Sequence, residues 1–346
     1  MTLRIINCQL IGYRLPLRMA WASARGEWRQ RRGWLLQLQT AADVGIGDCA
    51  PLPVAGTESI EAAQRALLTI QARAVGHDAA TLLDVLEPEL TATPATRWAL
   101  ECALLDLLSR QRGLTLRHFL VPTAPDVVPV NAMLGALAAV TPLAIHSAVA
   151  AGFTVLKIKV GLNAPLTELA QLRALARLLP TGVSLRLDAN GAWDIATAQR
   201  MLDGLADLPI EALEEPLRQP DVASWTALQQ RVTFPLARDE SLHIPVAQFP
   251  RRIVLKPAAI GGLRRTLALA QQAQAAGCEV VMTSVIDSAA GLWATAQLAA
   301  ASASPIPHGL ATAAWLATDV GIAPQPLRGQ LQLPMTPGSG FSPTIT

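Results

Sequence analysis

The residues of this chain best suited to chemistry stand at the ends of successive short apolar runs. Residues 183–187 alternate apolar and polar and stop on Asp188, followed by the turn Ala189-Asn190-Gly191 and by Asp194, which can cap a helix from Ile195. The run before it ends Lys157-Ile158-Lys159 and the run after it Glu214-Glu215-Pro216; the next two end Arg238-Asp239-Glu240-Ser241 and Lys256-Pro257. Singly, each is ordinary: Asp188 a turn former, Glu214 a helix-capping acid, Asp239 an N-cap, Lys256 a snorkelling lysine. Their recurrence, once per strand–helix unit, is what needs explaining. Period-two geometry puts Lys157 and Lys159 on one strand face, and two ammonium groups aimed into apolar surroundings are costly unless paired or used.

Carboxylates from three successive strands that converge on one point suit a hard, octahedral cation, and Mg²⁺ is expected. The absence of His and Cys at these positions argues against zinc. A divalent cation between lysines has a clear use. The proton α to a carboxylate is very weakly acidic, because removing it makes a dianionic enediolate, and bound Mg²⁺ can stabilise that charge as a Lewis acid. Lysines desolvated beside one another or beside a metal have depressed pKa values, so one can serve as a base near neutral pH.

The elements that must hold these groups follow from periodicity. Strands are expected near 127–133, 154–160, 183–187, 210–213, 234–237, 252–255, 279–283 and 305–308. Helices are expected between them, including a short one at 246–249. Eight near-continuous apolar strands alternating with helices predict a parallel sheet covered on both faces, closed as an α/β (β/α)₈-type barrel. A doubly wound open sheet is the alternative, but no GxGxxG follows the first strand. Ahead of the barrel, residues 1 to about 55 read as a strand meander with a polar loop at 19–32, where Trp21, Arg25 and Trp28 could also form a ligand-facing flap. The run 98–108 reads as an amphipathic helix stopped by Gly113. An α+β capping domain over 1–121, completed by about 322–346, and a barrel over 122–321 are therefore expected.

With 346 residues, 51% apolar and 16% charged, the chain can bury a large core. A net charge of +2 with no basic run gives nucleic acid no electrostatic footprint. Cys8, Cys49, Cys102 and Cys278 are scattered, which suits a reducing cytoplasm and no disulfide frame. The first residues run straight into a strand pattern without a signal-peptide profile, and the Ala-rich run 292–303 is too short to span a bilayer. The expected partner is a small-molecule carboxylate, not a membrane or a nucleic acid.

The ordered set KIK at 157–159, DANGAW at 188–193, EEP at 214–216, DES at 239–241 and LKPAAIGG at 255–262 resembles the enolase superfamily. In particular it resembles the muconate lactonizing subgroup, with a lysine on each side of a metal. GIGDCAPLP at 45–53 and RWALECALLDLL at 97–108 resemble that family's capping domain. The resemblance implies that Asp188, Glu214 and Asp239 ligate Mg²⁺, with Mn²⁺ able to stand in. Glu214 is preferred to Glu215 on the family's motif, a choice strand alternation alone leaves open. It further implies that Lys159 and Lys256 face each other across the substrate, that Lys157 lowers the pKa of Lys159, and that Asn190 supports the ligands. HGLAT…WLATDV within 305–320 and TSVIDSAAG at 283–291 are similar to the o-succinylbenzoate synthases, which would place Ser284 and Gly309 near a second substrate carboxylate. The Asp-x-Asp element of dipeptide epimerases is missing from 305–320. GIGD stands where the family more often has GWGE. His243 is read as a helix-start residue, and His308 as a loop histidine at the barrel mouth without an assigned partner.

Overall fold

Residues 7–23 and 26–39 form two long paired strands. Asn7–Ser23 (β1) pairs antiparallel with Gly26–Gln39 (β2), and Val44–Cys49 (β3) adds on the far side of β2. The computed structural model describes residues 3–23, 26–242 and 250–344; Arg25, His243 and the helix expected at 246–249 lie outside the described residues. The polar loop expected at 19–32 is instead the outer part of this strand pair, continued past an irregularity after Pro16 by the cross-strand pair Trp21 and Trp28. Aromatic pairs of this kind stabilise strands despite flanking Arg and Gly. Arg31, within the stretch expected as a polar loop, is buried, and donates to the carbonyl oxygens of Ala50 (2.5 Å), Pro51 (3.2 Å) and Ile286 (3.1 Å).

Behind the sheet lie helices Ile60–Ala74 (α1), Leu82–Leu90 (α2), Pro94–Gln111 (α3) and Leu116–Leu120 (α4). Helix α3 is buried on nearly every side, including Arg97, Glu101 and Asp106, rather than amphipathic. The sheet covers one side and the barrel the other, so its polar groups need internal partners. Glu58 accepts from the Ala95 and Thr96 amides (2.9 and 2.8 Å) at the helix N-terminus. Asp106 accepts from the amide of Ser339, which brings the C-terminal segment onto α3 (2.7 Å). A Cβ on Gly47 would stand 1.8 Å from the Ala99 carbonyl oxygen, and one on Gly45 2.1 Å from that of Ala103, so β3 lies directly on the α3 backbone. Here GIGD is a packing requirement. Its Asp48 takes the Tyr13 hydroxyl on one oxygen and the Ser288 amide on the other (3.0 Å).

The barrel begins after Val127–Pro129 (β4). The single strand expected at 127–133 is divided: β4 pairs antiparallel with Gln330–Gln332 (β12), and Ala132–Ala136 (β5) enters the barrel. From there strands and helices alternate: Pro142–Ala150 (α5), Val155–Lys159 (β6), Pro165–Ala176 (α6), Ser184–Asp188 (β7), Ile195–Leu205 (α7), Ile210–Glu214 (β8), Val222–Gln229 (α8) and Leu236–Arg238 (β9). Arg252–Leu255 (β10), Pro257–Ile260 (α9), Leu263–Ala275 (α10), Glu279–Met282 (β11) and Ala289–Ala301 (α11) complete it. The seven strands β5 to β11 form one parallel sheet in sequence order. In place of the eighth strand expected at 305–308 are two bridges, Val130 with His308 and Thr283 with Gly309, which join the sheet's two ends. The fold is a modified (β/α)₈ barrel with an α+β cap. No helix among the described residues is long and apolar enough to cross a membrane.

The contact between β3 and α3 is open to direct test. Gly47→Ala must push the strand off the helix and is expected to cost at least about 2 kcal/mol. Gly12→Ala, whose Cβ would meet only Trp34 at 3.6 Å, is expected to stay within about 0.5 kcal/mol. Denaturant melts of the two variants check both values.

Candidate active site

Parallel register builds the site before any side chain is considered. Lys159 on β6 stands beside Asp188 on β7, and Asp188 beside Glu214 on β8. Glu214 pairs with Ala237, two residues before Asp239, so Asp239 continues the row on the same face. Lys157 lies one layer below Lys159. The expected lysines and acids are thus neighbours, and all of β6 is buried.

The side chains are locked by charge. Lys157 Nζ lies 3.0 Å from Asp188 Oδ2 and also donates to Glu214. Lys256 Nζ donates to Asp239 Oδ2 at 2.6 Å. Lys159 Nζ is 4.0 Å from Asp188 Oδ2 and donates to Asn190 Oδ1 at 2.6 Å. Asn190 has left-handed backbone (φ 45°), its amide bonds Asp188 Oδ1 at 3.1 Å, and its Nδ2 donates to Glu240 at 3.2 Å. This places Asn190 between Lys159 and the carboxylates of Asp188 and Glu240.

Glu214 and Glu215 are separated by what they touch. Glu214 faces the lysine cluster. Glu215, with φ 40°, turns its carboxylate to the amides of Asp239 (3.0 Å) and Ser241 (3.1 Å), and so fixes the turn after β9.

Electrostatics follow the same geometry. Burial favours neutral Asp188, but Lys157 and Lys159 outweigh it and hold its carboxyl well below the usual range. Glu214 is pushed up, first by burial and then by crowding from Asp188 and Asp239, which the shared Lys157 does not cancel. Burial opposes the Lys157 ammonium, yet Asp188 and Glu214 raise its pKa; Asp239 and Glu240 do the same for Lys256. Lys159 alone among the three is lowered, by burial and by the charges of Lys157 and Lys256, against the pull of Asp188. An amine with a depressed pKa beside two fixed ammonium groups can accept a proton.

Lys157, Lys159, Asp188, Asp239 and Lys256 form the floor of a cavity of about 760 Å³, open to solvent, whose walls include Trp21, Met133, Ser284, Ile286 and Thr312, while Glu214 is buried behind that floor. Trp21 reaches over from β1, its ring 4.7 Å from Lys159 Nζ and edge-on to Trp315 at 4.8 Å. Gly135 leaves room for Trp315, since a Cβ there would stand 3.0 Å from its ring. Ser284 lines the cavity and pairs with Thr312 Oγ1 at 2.8 Å. Gly309 lies in the barrel wall, its amide spent on the Met282 carbonyl (2.9 Å). Thr312 and the Trp21–Trp315 pair escaped the sequence reading; the aromatic content of the flap was the available signal. His308 is fully buried rather than at the mouth. Its Nδ1 accepts from the Met282 amide at 2.9 Å, and burial beside Arg186 pushes its pKa down to about 3, so it is a neutral wall residue.

The donor set fits a hard cation: Asp188, Glu214 and Asp239 offer only carboxylate oxygens, and their mutual crowding leaves negative charge to be balanced. Among the described residues no three such groups stand at metal-ligand spacing, because Lys157 and Lys256 occupy their oxygens.

Residues 142–344 match the family model described as Enolase C-terminal domain-like, and residues 5–107 match MenC, N-terminal domain. An o-succinylbenzoate synthase of Thermosynechococcus vestitus is 35% identical over 66% of this chain and 67% of its own length. One of Yersinia enterocolitica is 30% identical over 84% and 85%. A hydrophobic dipeptide epimerase of a Flavobacteria bacterium is 28% identical over 82% and 84%. The crystal structure of muconate lactonizing enzyme from Pseudomonas fluorescens shares the fold, with a TM-score of 0.88 at 22% identity, covering 99% of this chain and 97% of that one. With the family model spanning more than half of its length, the chain belongs to the enolase superfamily.

Proposed function

We propose that this protein is an o-succinylbenzoate synthase, a lyase that dehydrates 2-succinyl-6-hydroxy-2,4-cyclohexadiene-1-carboxylate to 2-succinylbenzoate in the route to menaquinone or phylloquinone. The observation that carries the reading is the lone depressed lysine, Lys159, in one cavity with Lys256 and a row of buried carboxylates. Similarity to o-succinylbenzoate synthases over most of the chain supports the choice of substrate.

In this proposal Asp188, Glu214 and Asp239 hold Mg²⁺, which when bound supplies Lewis-acid stabilisation of the charge that grows on the substrate carboxylate. Lys159, held by Asn190 and kept poorly basic by burial, Lys157 and Lys256, takes the proton from C1. The C–H electron pair forms the last ring double bond as the C6–O bond breaks. Lys159, now an ammonium, returns its proton to the departing hydroxide, so one water leaves and the base is restored. Lys256 stays cationic against the ring, consistent with its raised pKa. Ser284, paired with Thr312, and the Trp21–Trp315 wall bound the succinyl side; Gly309 acts there only by keeping the wall in place.

A second reading, racemisation or epimerisation of an N-acylated amino acid, is favoured by one feature: both Lys159 and Lys256 line the cavity and could alternate as bases. The strong Lys256–Asp239 contact argues against a free second base.

Lys159→Ala is expected to lower kcat for dehydration by about 10²–10⁴-fold with fold and substrate binding retained; unchanged turnover sinks the assignment. Chelation is expected to stop turnover and Mg²⁺ to restore it. Glu214→Gln should weaken Mg²⁺ binding by about tenfold or more, as measured by calorimetry in the absence of substrate. Mg²⁺ binding indifferent to that change would remove Glu214 from the ligand set.

A further inference from the structure

Six arginines are buried among the described residues: Arg31, Arg97, Arg117, Arg186, Arg238 and Arg252. Five are satisfied. Arg31 binds carbonyl oxygens, and Arg97, Arg117, Arg186 and Arg252 all meet carboxylates. Arg238 is different. It is 3% exposed, its Nε is buried without a hydrogen-bond partner, and among the described residues it forms no ion pair. A guanidinium taken out of water with no carboxylate in contact is expensive; the charge of Glu215 at the end of the neighbouring strand reaches it only at longer range, and the Trp225 face 4.9 Å away offsets only part of that cost.

Strand alternation explains the position. Ala237 and Asp239 face the barrel interior, so Arg238 between them points outward, under α8. There it lines a separate surface cavity of about 720 Å³ with Val222, Trp225, Gln229, Pro250 and Arg251. Among the described residues no acid lines this cavity. Arg251 uses one nitrogen on the Thr233 carbonyl (2.5 Å) and is otherwise exposed at the rim. Trp225 Nε1, from a second residue of the same wall, is also a buried donor without an acceptor. Unmatched donors, two cations and no acid call for an acceptor-only ligand of negative charge, while Val222, Trp225 and Pro250 offer contact to an apolar body.

We propose that this outer-wall cavity is a binding site for a small aromatic carboxylate, its carboxylate on Arg238 with Arg251 at the rim and its ring against the apolar wall. A planar carboxylate matches the guanidinium fork. The proposal does not depend on the reaction assigned to the barrel mouth.

The test is calorimetric titration of benzoate into the full-length, Mg²⁺-free protein at ionic strength fixed with sodium chloride. The wild type and Lys159→Ala are expected to bind alike, whereas Arg238→Met should bind at least about tenfold more weakly. Arg251→Ala, a rim change with no bearing on the core, should weaken binding about threefold and keeps the test alive if Arg238→Met fails to fold. Binding unchanged in Arg251→Ala and in folded Arg238→Met, or lost in Lys159→Ala, overturns the assignment. So does a response to inorganic phosphate with none to benzoate.

Discussion

One buried ammonium organises the centre of this protein. Lys157 sits beneath the barrel mouth with Asp188 at 3.0 Å and Glu214 in contact, and neither acid could stay charged at that depth without a cation. Because one lysine serves two acids, the balance is incomplete: Asp188 is held ionised and Glu214 is pushed toward neutrality. The same positive charge, with that of Lys256, keeps Lys159 from holding its proton firmly. The proposed metal site and the proposed base therefore share one cluster, whose geometry depends on the register between β6, β7 and β8.

That register is maintained by turns as well as strands. The Gly191 amide bonds the Glu215 carbonyl at 2.7 Å, and the Glu215 carboxylate gathers the amides of Asp239 and Ser241. The ends of β7, β8 and β9 are thereby tied in series. The cap adds a second constraint. Arg31 grips the Ile286 carbonyl and Asp48 the Ser288 amide, so the loop that carries Ser284 is fastened to the sheet that delivers Trp21. The cavity wall at Ser284 and the aromatic cover are thus held on one frame, and burying Arg31 and Asp48 is the cost of that link.

The sequence made the barrel and its floor legible because strand ends in a parallel barrel impose a strict spacing, and ionisable residues inside apolar runs stand out against it. Asp188, Asp239 and the three lysines were visible for that reason. Glu214 and Glu215 were not separable, since the choice is made by a left-handed backbone at Glu215 that no period-two pattern encodes. The strand pair within 19–32 was obscured because Arg, Ser and Gly break the alternation that cross-strand pairing of Trp21 with Trp28 restores. Burial all round α3 was also hidden: Arg97, Glu101 and Asp106 read as a solvent face until their partners, distant in sequence, are in place. The eighth strand shrank to two bridges for a similar reason, as its hydrogen bonds come from Pro129, Asn131 and Met282.

In the proposed reaction this cluster removes the proton α to a carboxylate on the way to an aromatic ring. The most direct measurement offers the purified protein, with Mg²⁺ in deuterated water, the cyclohexadiene carboxylate beside N-succinyl amino acids and dipeptides. The expected result is conversion of the cyclohexadiene to 2-succinylbenzoate, with far slower deuterium entry at the α carbon of the amino acid derivatives. Rapid exchange and inversion of an amino acid derivative, with the cyclohexadiene left intact, would contradict the account.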